Sequence, residues 1–402
     1  MTKTAGRVKI LQIGKFYSPY AGGMETHLED LCVQLNRSAD VRVIVANTSA
    51  GTVSEEISGI RVHRAGTWGS IANAPISPGL VNAIRRSPAD IVHIHWPNPA
   101  AVLAYIASRH PGQLVVTYHS DIVGKRLAAL LFHPILNRVI ARSAAVIATS
   151  PNYVESSPIL SRFKNLCHVI PYGIATERMA APNPAVINDI KARYGPRTVL
   201  AVGRLVYYKG FEYLVRAMRH VDGRALIIGD GPLRENLKAI AVSCGVTDRV
   251  VFLGEKSGQD LVPYFHAAEV FALPSVARSE AFGIVQLEAM ACGKPVINTN
   301  LDSGVPFASL DGKTGLTVPP ADPESLAAAI NLLLNETELR SRFGEAGRRR
   351  VFEEFRLETM TERTCDLYRQ ILESRPLLNE ANPPLFQGVY AAPSNTRDEA
   401  SL

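Results

Sequence analysis

Arg278-Ser279-Glu280-Ala281-Phe282-Gly283-Ile284-Val285-Gln286-Leu287-Glu288-Ala289-Met290-Ala291 is the stretch that decides the fold. A strand-like run, Val270–Leu273, closes in Pro274-Ser275 before it, and Cys292-Gly293-Lys294-Pro295 ends a helix after it and opens the strand Val296–Ile297. The pattern is strand, loop carrying Glu280, then a helix that starts near Gly283 and carries Glu288. A helix start offers unpaired N–H groups and a positive dipole end, which suit phosphate. Glycine at 283 lets an anion approach the main chain. Glu288 tilts back toward the helix start, so the two carboxylates should face one mouth, Glu280 on the lip and Glu288 further inside. Carboxylates beside a phosphate seat suit a ligand with both hydroxyls and phosphate, such as a sugar nucleotide. An ordinary amphipathic helix after a turn would read the same in isolation.

The surroundings repeat this unit. Strands are predicted at Lys9–Ile13, Val41–Ala46, Ile60–Arg64, Ile91–His95, Leu114–Tyr118, Ala145–Ala148 and His168–Ile170, separated by helical spacing. A second series follows at Thr198–Val202, Ala225–Ile228, Val250–Leu253, Val270–Leu273, Val296–Ile297 and Gly315–Val318. The rhythm predicts an α/β chain with two doubly wound, Rossmann-like domains. Residues 1–180 form the first and 181–355 the second; a helix over 356–375 returns to the first, and 376–402 is a disordered tail. With 402 residues, two domains are the expectation.

Composition narrows the class. The five cysteines are far apart, with no CxxC or Cys/His cluster, so neither a disulfide framework nor structural zinc is expected. No apolar run approaches the roughly 18 residues that span a bilayer, and the first is too short for a signal peptide. The expectation is a cytoplasmic protein. Residues 1–180 carry 18 Lys and Arg against 10 Asp and Glu, the remainder 25 against 27. There is no nucleic-acid motif, so the basic half points to an anionic membrane surface or a phosphorylated acceptor, not to nucleic acid. Lys125–Arg142 is basic and amphipathic, a candidate for peripheral contact at the cytoplasmic face of the membrane; Pro134 should break or kink it.

Candidate site residues sit in loops after strands, at the carboxyl edge where ligands bind such sheets. Gly22-Gly23 lies between the first strand and its helix. His119 follows Leu114–Tyr118; a lone histidine there is more often structural, and core or edge roles are the default for His93 and His95. Arg204 and Lys209, flanked by Gly203 and Gly210, form a good diphosphate clamp, a planar fork and a point charge. Gly229-Asp230-Gly231-Pro232 is half a dinucleotide fingerprint, broken by Arg234. The loops at 203–209, 229–232 and 278–288 should converge on one crevice.

Together, Gly203-Arg204-Leu205-x3-Lys209-Gly210, Gly-Asp-Gly-Pro at 229–232, Glu-x7-Glu at 280–288, Asp311-Gly312-x-Thr314-Gly315, Gly22-Gly23-Met24-Glu25 and His119-Ser120-Asp121 resemble the GT-B retaining glycosyltransferases of family GT4. Gly14-Lys15-Phe16-Tyr17, Tyr118–Asp121 and Thr149–Tyr153 look most like the rhamnosyl- and mannosyltransferases of bacterial O-antigen and lipopolysaccharide assembly. The resemblance implies two domains facing across a cleft, a nucleotide diphosphate sugar donor, GDP-mannose or GDP-D-rhamnose, and a lipid-linked or oligosaccharide acceptor. Arg204 and Lys209 would hold the diphosphate, Glu280 the sugar hydroxyls and Glu288 the ribose. Backbone N–H groups of Gly283, Ile284 and Val285 would reach sugar or phosphate, with Gly231 and Phe282 completing the nucleotide set. His119 would lie near the anomeric carbon, and Gly22 and Gly23 would close over the phosphates. Phe307 stands where many members carry Glu, which leaves that acidic contact in question. The chain has no Asp-x-Asp, so neither metal nor other cofactor is expected, and front-face displacement is the implied route. A GT-B epimerase or phosphorylase, or a non-catalytic sugar-nucleotide-binding subunit, are the other classes.

Overall fold

The structure, a computed structural model, describes residues 7–20, 22–71, 74–122, 126–180, 182–256 and 258–374. Near-continuous apolar runs such as Ile91–Trp96 and Thr198–Val202 form strands buried on both faces, as parallel sheets require. The first sheet has eight strands, in the order Cys167–Val169, Ala145–Ala148, Gln113–Tyr118, Ile91–Trp96, Lys9–Ile13, Asp40–Ala46, Ile60–Ala65, Val53–Ile57. The second has six, in the order Val250–Phe252, Arg224–Ile228, Thr198–Val202, Val270–Ala272, Val296–Thr299, Gly315–Val318, all parallel.

Each sheet reverses its winding beside its first strand. In the first sheet Lys9–Ile13 lies between Asp40–Ala46 and Ile91–Trp96; in the second Thr198–Val202 lies between Arg224–Ile228 and Val270–Ala272. These switch points leave a crevice at the carboxyl edge.

Val53–Ile57 was not foreseen. It pairs antiparallel on the outer edge and is mostly exposed, so it carries no apolar signal. Its charged side chains suit an edge open to water. The turn Ser58-Gly59, with φ of 52° and 76°, was the available clue. A short hairpin, Ser70–Ile71 with Ala74–Pro75, also escaped notice. Pro134 does not break its helix, which runs Arg126–Ile140. Leu136, Val139 and Ile140 beyond it are buried against the sheet, and that packing outweighs the lost hydrogen bond. Lys125 and residues 375–402 lie outside the described residues. Among the described residues no helix is long and apolar enough to cross a membrane.

The chain crosses between the sheets twice, and the crossings lie side by side. Ile174 N–H donates to Phe355 C=O at 2.9 Å and Leu357 N–H donates to Ile174 C=O at 3.0 Å. A side chain at Gly173 would overlap the Arg356 carbonyl, so only glycine fits. The last helix, Leu357–Glu373, then packs on the first sheet. Leu357, Met360, Leu367, Tyr368 and Ile371 share a core with Leu28, Leu31, Val43 and Val115. Leu367→Ala should therefore destabilise the protein by about 2–4 kcal/mol, read as a shifted denaturation midpoint; a midpoint unchanged from the wild type would show that this helix is not part of the core.

Candidate active site

Thr198–Val202 and Val270–Ala272 are adjacent, and the loops that leave them are zipped together. Val276 N–H donates to Tyr208 C=O at 2.8 Å. Gly210, at φ 64°, lies so close that a Cβ would overlap the Pro274 carbonyl. This brings Lys209 onto Glu280: Nζ to Oε2 is 2.6 Å, with side chains 13% and 9% exposed. The Ser275 hydroxyl donates to the same Oε2 at 3.0 Å, and Thr299 Oγ1 donates to the Ser275 carbonyl at 2.5 Å. The Lys209 stem lies along Gly203, with Nζ 3.5 Å from where a Cβ would stand.

The other candidates of this half have distinct places. Gly231 packs backbone on backbone against the first loop, where a Cβ would stand 2.8 Å from Leu205 N and 2.6 Å from its carbonyl oxygen. Its neighbour Asp230 pairs with Arg234 at 2.9 Å, so Arg234 is a local partner to the loop. Gly283 has φ 73° and precedes the helix Ile284–Ala291; a Cβ there would lie 2.5 Å from Leu273. This left-handed residue turns the chain so that the first helical N–H groups of Ile284 and Val285 open outward. Phe282 is a core residue, its ring 5.2 Å from Tyr172 and 6.1 Å from Phe355, which leaves only its main chain for a ligand. Phe307 joins that aromatic cluster, capped by Arg350 at 5.4 Å.

Glu280 is buried at 7% exposure, where Lys209 and Ser275 compensate it, and Glu288 is partly exposed. Glu288 lies near the pair that Arg178 makes with Asp30 at 2.7 Å. Burial pushes its carboxyl up to about 7, opposed by Arg178.

The first half closes over this site. An added Cβ at Gly23 would stand 3.9 Å from Ile284 Cδ1, so the start of helix Gly23–Leu35 faces the start of helix Ile284–Ala291. The Glu25 carboxylate curls over Gly22, so a side chain there would have to displace it. Burial raises the Glu25 carboxyl above its usual range; its own N–H and the charges of Lys15 and Arg204 oppose this. Arg204, exposed on the second half, thus faces an acid of the first. A hollow at the first sheet's carboxyl edge is lined by Lys15, Phe16, Glu25 and His95 among others.

A bridge joins the halves beside both motifs. Arg278 donates to Asp121 Oδ2 at 3.0 Å and to the Ser156 carbonyl at 2.7 Å. Asp121 Oδ1 also accepts from Tyr118 and Ser157, each at 2.8 Å. Arg278 is two residues before Glu280, and Asp121 two after His119.

His119 is buried, as Glu280 is. It is 2% exposed, with Nε2 2.9 Å from His95 Nδ1 and Nδ1 in a hydrogen bond with the Tyr172 hydroxyl. It follows the strand Gln113–Tyr118 and lies two residues beyond Thr117, so alternation puts it on the side that Thr117 occupies. His27, His95 and His119 are the one group among the described residues whose ring nitrogens gather closely enough to hold a metal, all within 4.8 Å. Their present geometry is different. The His95 and His119 ring centres are 5.1 Å apart, nearly the 2.9 Å bond plus two ring radii. The two nitrogens therefore point at each other, as in N–H···N, and not toward a shared third point.

Residues 22–173 match the glycosyl transferase 4-like domain, and residues 184–350 match glycosyl transferases group 1. The O-antigen chain mannosyltransferase C of Escherichia coli is 31% identical over 374 residues, 92% of this chain and 100% of that protein. The chain is a group 1 glycosyltransferase. Pseudomonas aeruginosa D-rhamnosyltransferase WbpZ is also 31% identical, over 86% of this glycosyltransferase and 92% of its own length. A GDP-mannose-dependent alpha-(1-6)-phosphatidylinositol monomannoside mannosyltransferase of Mycolicibacterium smegmatis is 29% identical over 91% and 100%. Two solved structures share the GT-B fold. Sucrose-phosphate synthase from Thermosynechococcus elongatus has a TM-score of 0.78 at 24% identity, covering 92% of this chain and 100% of its own. Anabaena HepE with UDP and glucose has a TM-score of 0.74 at 21% identity, covering 90% and 100%.

Several site neighbours of this glycosyltransferase were not singled out from sequence: Ser275, Arg278, Tyr172, His27 and Gln12. Ser275 and Arg278 flank the quoted motif, and Tyr172 ends the first series, so position could have flagged them. Gln12 and His27 carried no such mark. The buried histidines have a cost in acid. Burial lowers His27 to about 4 and His93 to about 3, His27 adding to the effect on His93. An unfolded chain protonates both near 6.5, so between pH 6.5 and about 4 it binds protons that the fold excludes. Their contribution is complete above pH 6.5 and is lost as pH falls. The melting temperature should drop by roughly 5–10 °C between pH 7 and 5; calorimetry giving a flat profile would contradict the burial of neutral rings.

Proposed function

We propose that this glycosyltransferase moves a hexose, mannose or D-rhamnose, from a GDP-linked donor to a growing lipid-linked bacterial polysaccharide, without a divalent ion. The observation that carries this reading is the buried Lys209–Glu280 pair at the second sheet's switch point, beside the helix start at Gly283. The sugar specificities named for the E. coli and P. aeruginosa relatives, and the GDP-mannose dependence of the mycobacterial one, support the choice of donor. The basic first half and the exposed Arg138 support an acceptor at the cytoplasmic membrane face.

The chemistry follows from the charges. Breaking the sugar–phosphate bond builds negative charge on the departing diphosphate and oxocarbenium character on the sugar. Without ligand, the Lys209 ammonium neutralises Glu280. A bound diphosphate gives Lys209 a second anion, while Arg204 and the N–H groups of Ile284 and Val285 supply further positive ends. Glu280 keeps oxygen lone pairs for sugar hydroxyls. The acceptor hydroxyl enters from the hollow beside Glu25, on the same face as the departing group, whose phosphate oxygen takes its proton.

Acceptor-dependent release of GDP, assayed across GDP-, UDP-, ADP- and dTDP-sugars, tests the reading. A new sugar nucleotide formed without acceptor would replace it with an epimerase. Lys209→Ala and Glu280→Gln should each lower kcat by about 10²–10³ while circular dichroism stays unchanged; near-normal turnover in both would remove these residues from the site. Excess EDTA should leave the transfer rate as it was, and a loss restored by Mg²⁺ or Mn²⁺ would refute metal independence.

A further inference from the structure

Seven buried polar side chains form one unbroken hydrogen-bonded file through the first domain: Thr117, His93, Tyr368, Gln12, His95, His119 and Tyr172. Thr117 Oγ1 is 2.6 Å from His93 Nε2, and His93 Nδ1 is 2.6 Å from the Tyr368 hydroxyl. Gln12 Nε2 donates to that hydroxyl at 3.2 Å, and Gln12 Oε1 is 2.9 Å from His95 Nε2. His95 Nδ1 meets His119 Nε2 at 2.9 Å, and His119 Nδ1 meets the Tyr172 hydroxyl. The file exists because Gln12, His93, His95, Thr117 and His119 stand on one face of three adjacent strands, where Gln12 pairs with His93 and His95 with Thr117. Tyr368 closes it from the C-terminal helix.

Burial keeps the three histidines neutral, each with one N–H and one bare nitrogen. A file of such groups has a direction, and fixing one member fixes all. Gln12 is the member with unlike ends, since its nitrogen only donates and its oxygen only accepts. With Oε1 toward His95, His95 must carry its proton on Nε2. Its bare Nδ1 then accepts from His119 Nε2–H, and the bare Nδ1 of His119 accepts from the Tyr172 hydroxyl. On the other side Gln12 donates to Tyr368, Tyr368 donates to His93 Nδ1, and His93 Nε2–H donates to Thr117. With the amide this way round all three histidines take the Nε2–H form, and turning it over would reverse every bond.

We propose that Gln12, anchored by Tyr368, is a positioning residue that sets the tautomer of His119, and that this setting reaches transfer through Tyr172. Tyr172 stands where the file meets the donor loop. Its ring is edge-on to Phe282, the residue before Gly283, and Glu280 is close enough to raise its hydroxyl further. A hydroxyl locked onto His119 holds the Tyr172 ring, and with it the turn that presents Ile284 and Val285. The C-terminal helix thereby reaches the transfer site through four hydrogen bonds, from Tyr368 by way of Gln12, His95 and His119 to Tyr172. This rests on the transferase reading above, but its principal readout does not.

The test uses the full chain labelled with 15N-histidine, and Tyr368→Phe, which removes one hydroxyl and keeps the ring packing. Long-range 1H–15N spectra without substrate should show His93, His95 and His119 as single Nε2–H tautomers in the wild type. In Tyr368→Phe the Gln12 amide loses its acceptor, so His95 and His119 should become tautomer mixtures although neither touches residue 368. Gln12→Leu should do the same to both. In each variant kcat should fall about five- to tenfold, the effect of one lost hydrogen bond, with donor KM unchanged. Nδ1–H forms in the wild type, or variants that slow transfer while His119 keeps one tautomer, would overturn the proposal. Failure of the transferase reading would instead appear as absent turnover with the tautomer pattern intact.

Discussion

An ammonium and a carboxylate buried against each other at the edge of the second sheet are the contact on which the rest of this glycosyltransferase turns. Taking both charges out of water is costly, and the contact survives because Ser275 adds a hydrogen bond and Gly203 gives the lysine stem a bare trough. Removing either partner would leave an uncompensated charge in a dry place. In the proposed function this neighbourhood is held ready for an anion and for hydroxyls before either arrives. Gly210 and Gly283 serve that end, since each allows a turn or a close approach that a side chain would forbid.

The site is completed from two directions. The first domain contributes the helix start at Gly23 and the acid Glu25; the second contributes Arg204, Lys209 and the helix start at Ile284. Two helix starts facing each other make a region rich in positive ends, balanced in the free protein by Glu25 and Glu280. The Arg278–Asp121 bridge fixes the facing loops in register, next to both motifs. Because the last helix belongs to the first domain's core, both chain crossings hold the halves together.

The interior of the first domain is unusual for what it buries. Four histidines, two tyrosines and a glutamine lie between a sheet and two helices, where an apolar face would be the simpler solution. Polar groups are tolerated there because nearly all find partners; the His27 Nδ1 atom is an exception. Such a file carries direction as well as cohesion, and direction is information that apolar packing cannot hold.

Much was legible in the sequence. Periodicity gave thirteen strands within a residue or two of their ends, because buried parallel strands are written as short apolar runs closed by Gly, Pro or Ser. It missed Val53–Ile57, whose exposed charges carry no such run, and it expected Pro134 to break or kink a helix that packing carries through unbroken. The motif glycines and charges marked the loops that make the site. What the sequence could not say is which loop lies beside which. Lys209 and Glu280 meet because Thr198–Val202 and Val270–Ala272 are neighbours in the sheet, and Gln12 meets His95 because Lys9–Ile13 and Ile91–Trp96 are. Local pattern encodes each element's own burial, whereas adjacency comes from how the elements share one core. By itself the sequence determined the element types and marked the loops whose glycines and charges the proposed chemistry uses. Only the tertiary structure decided that Glu280 is buried against Lys209 and that His119 joins a buried file, since both depend on which side chains compensate them once water is gone.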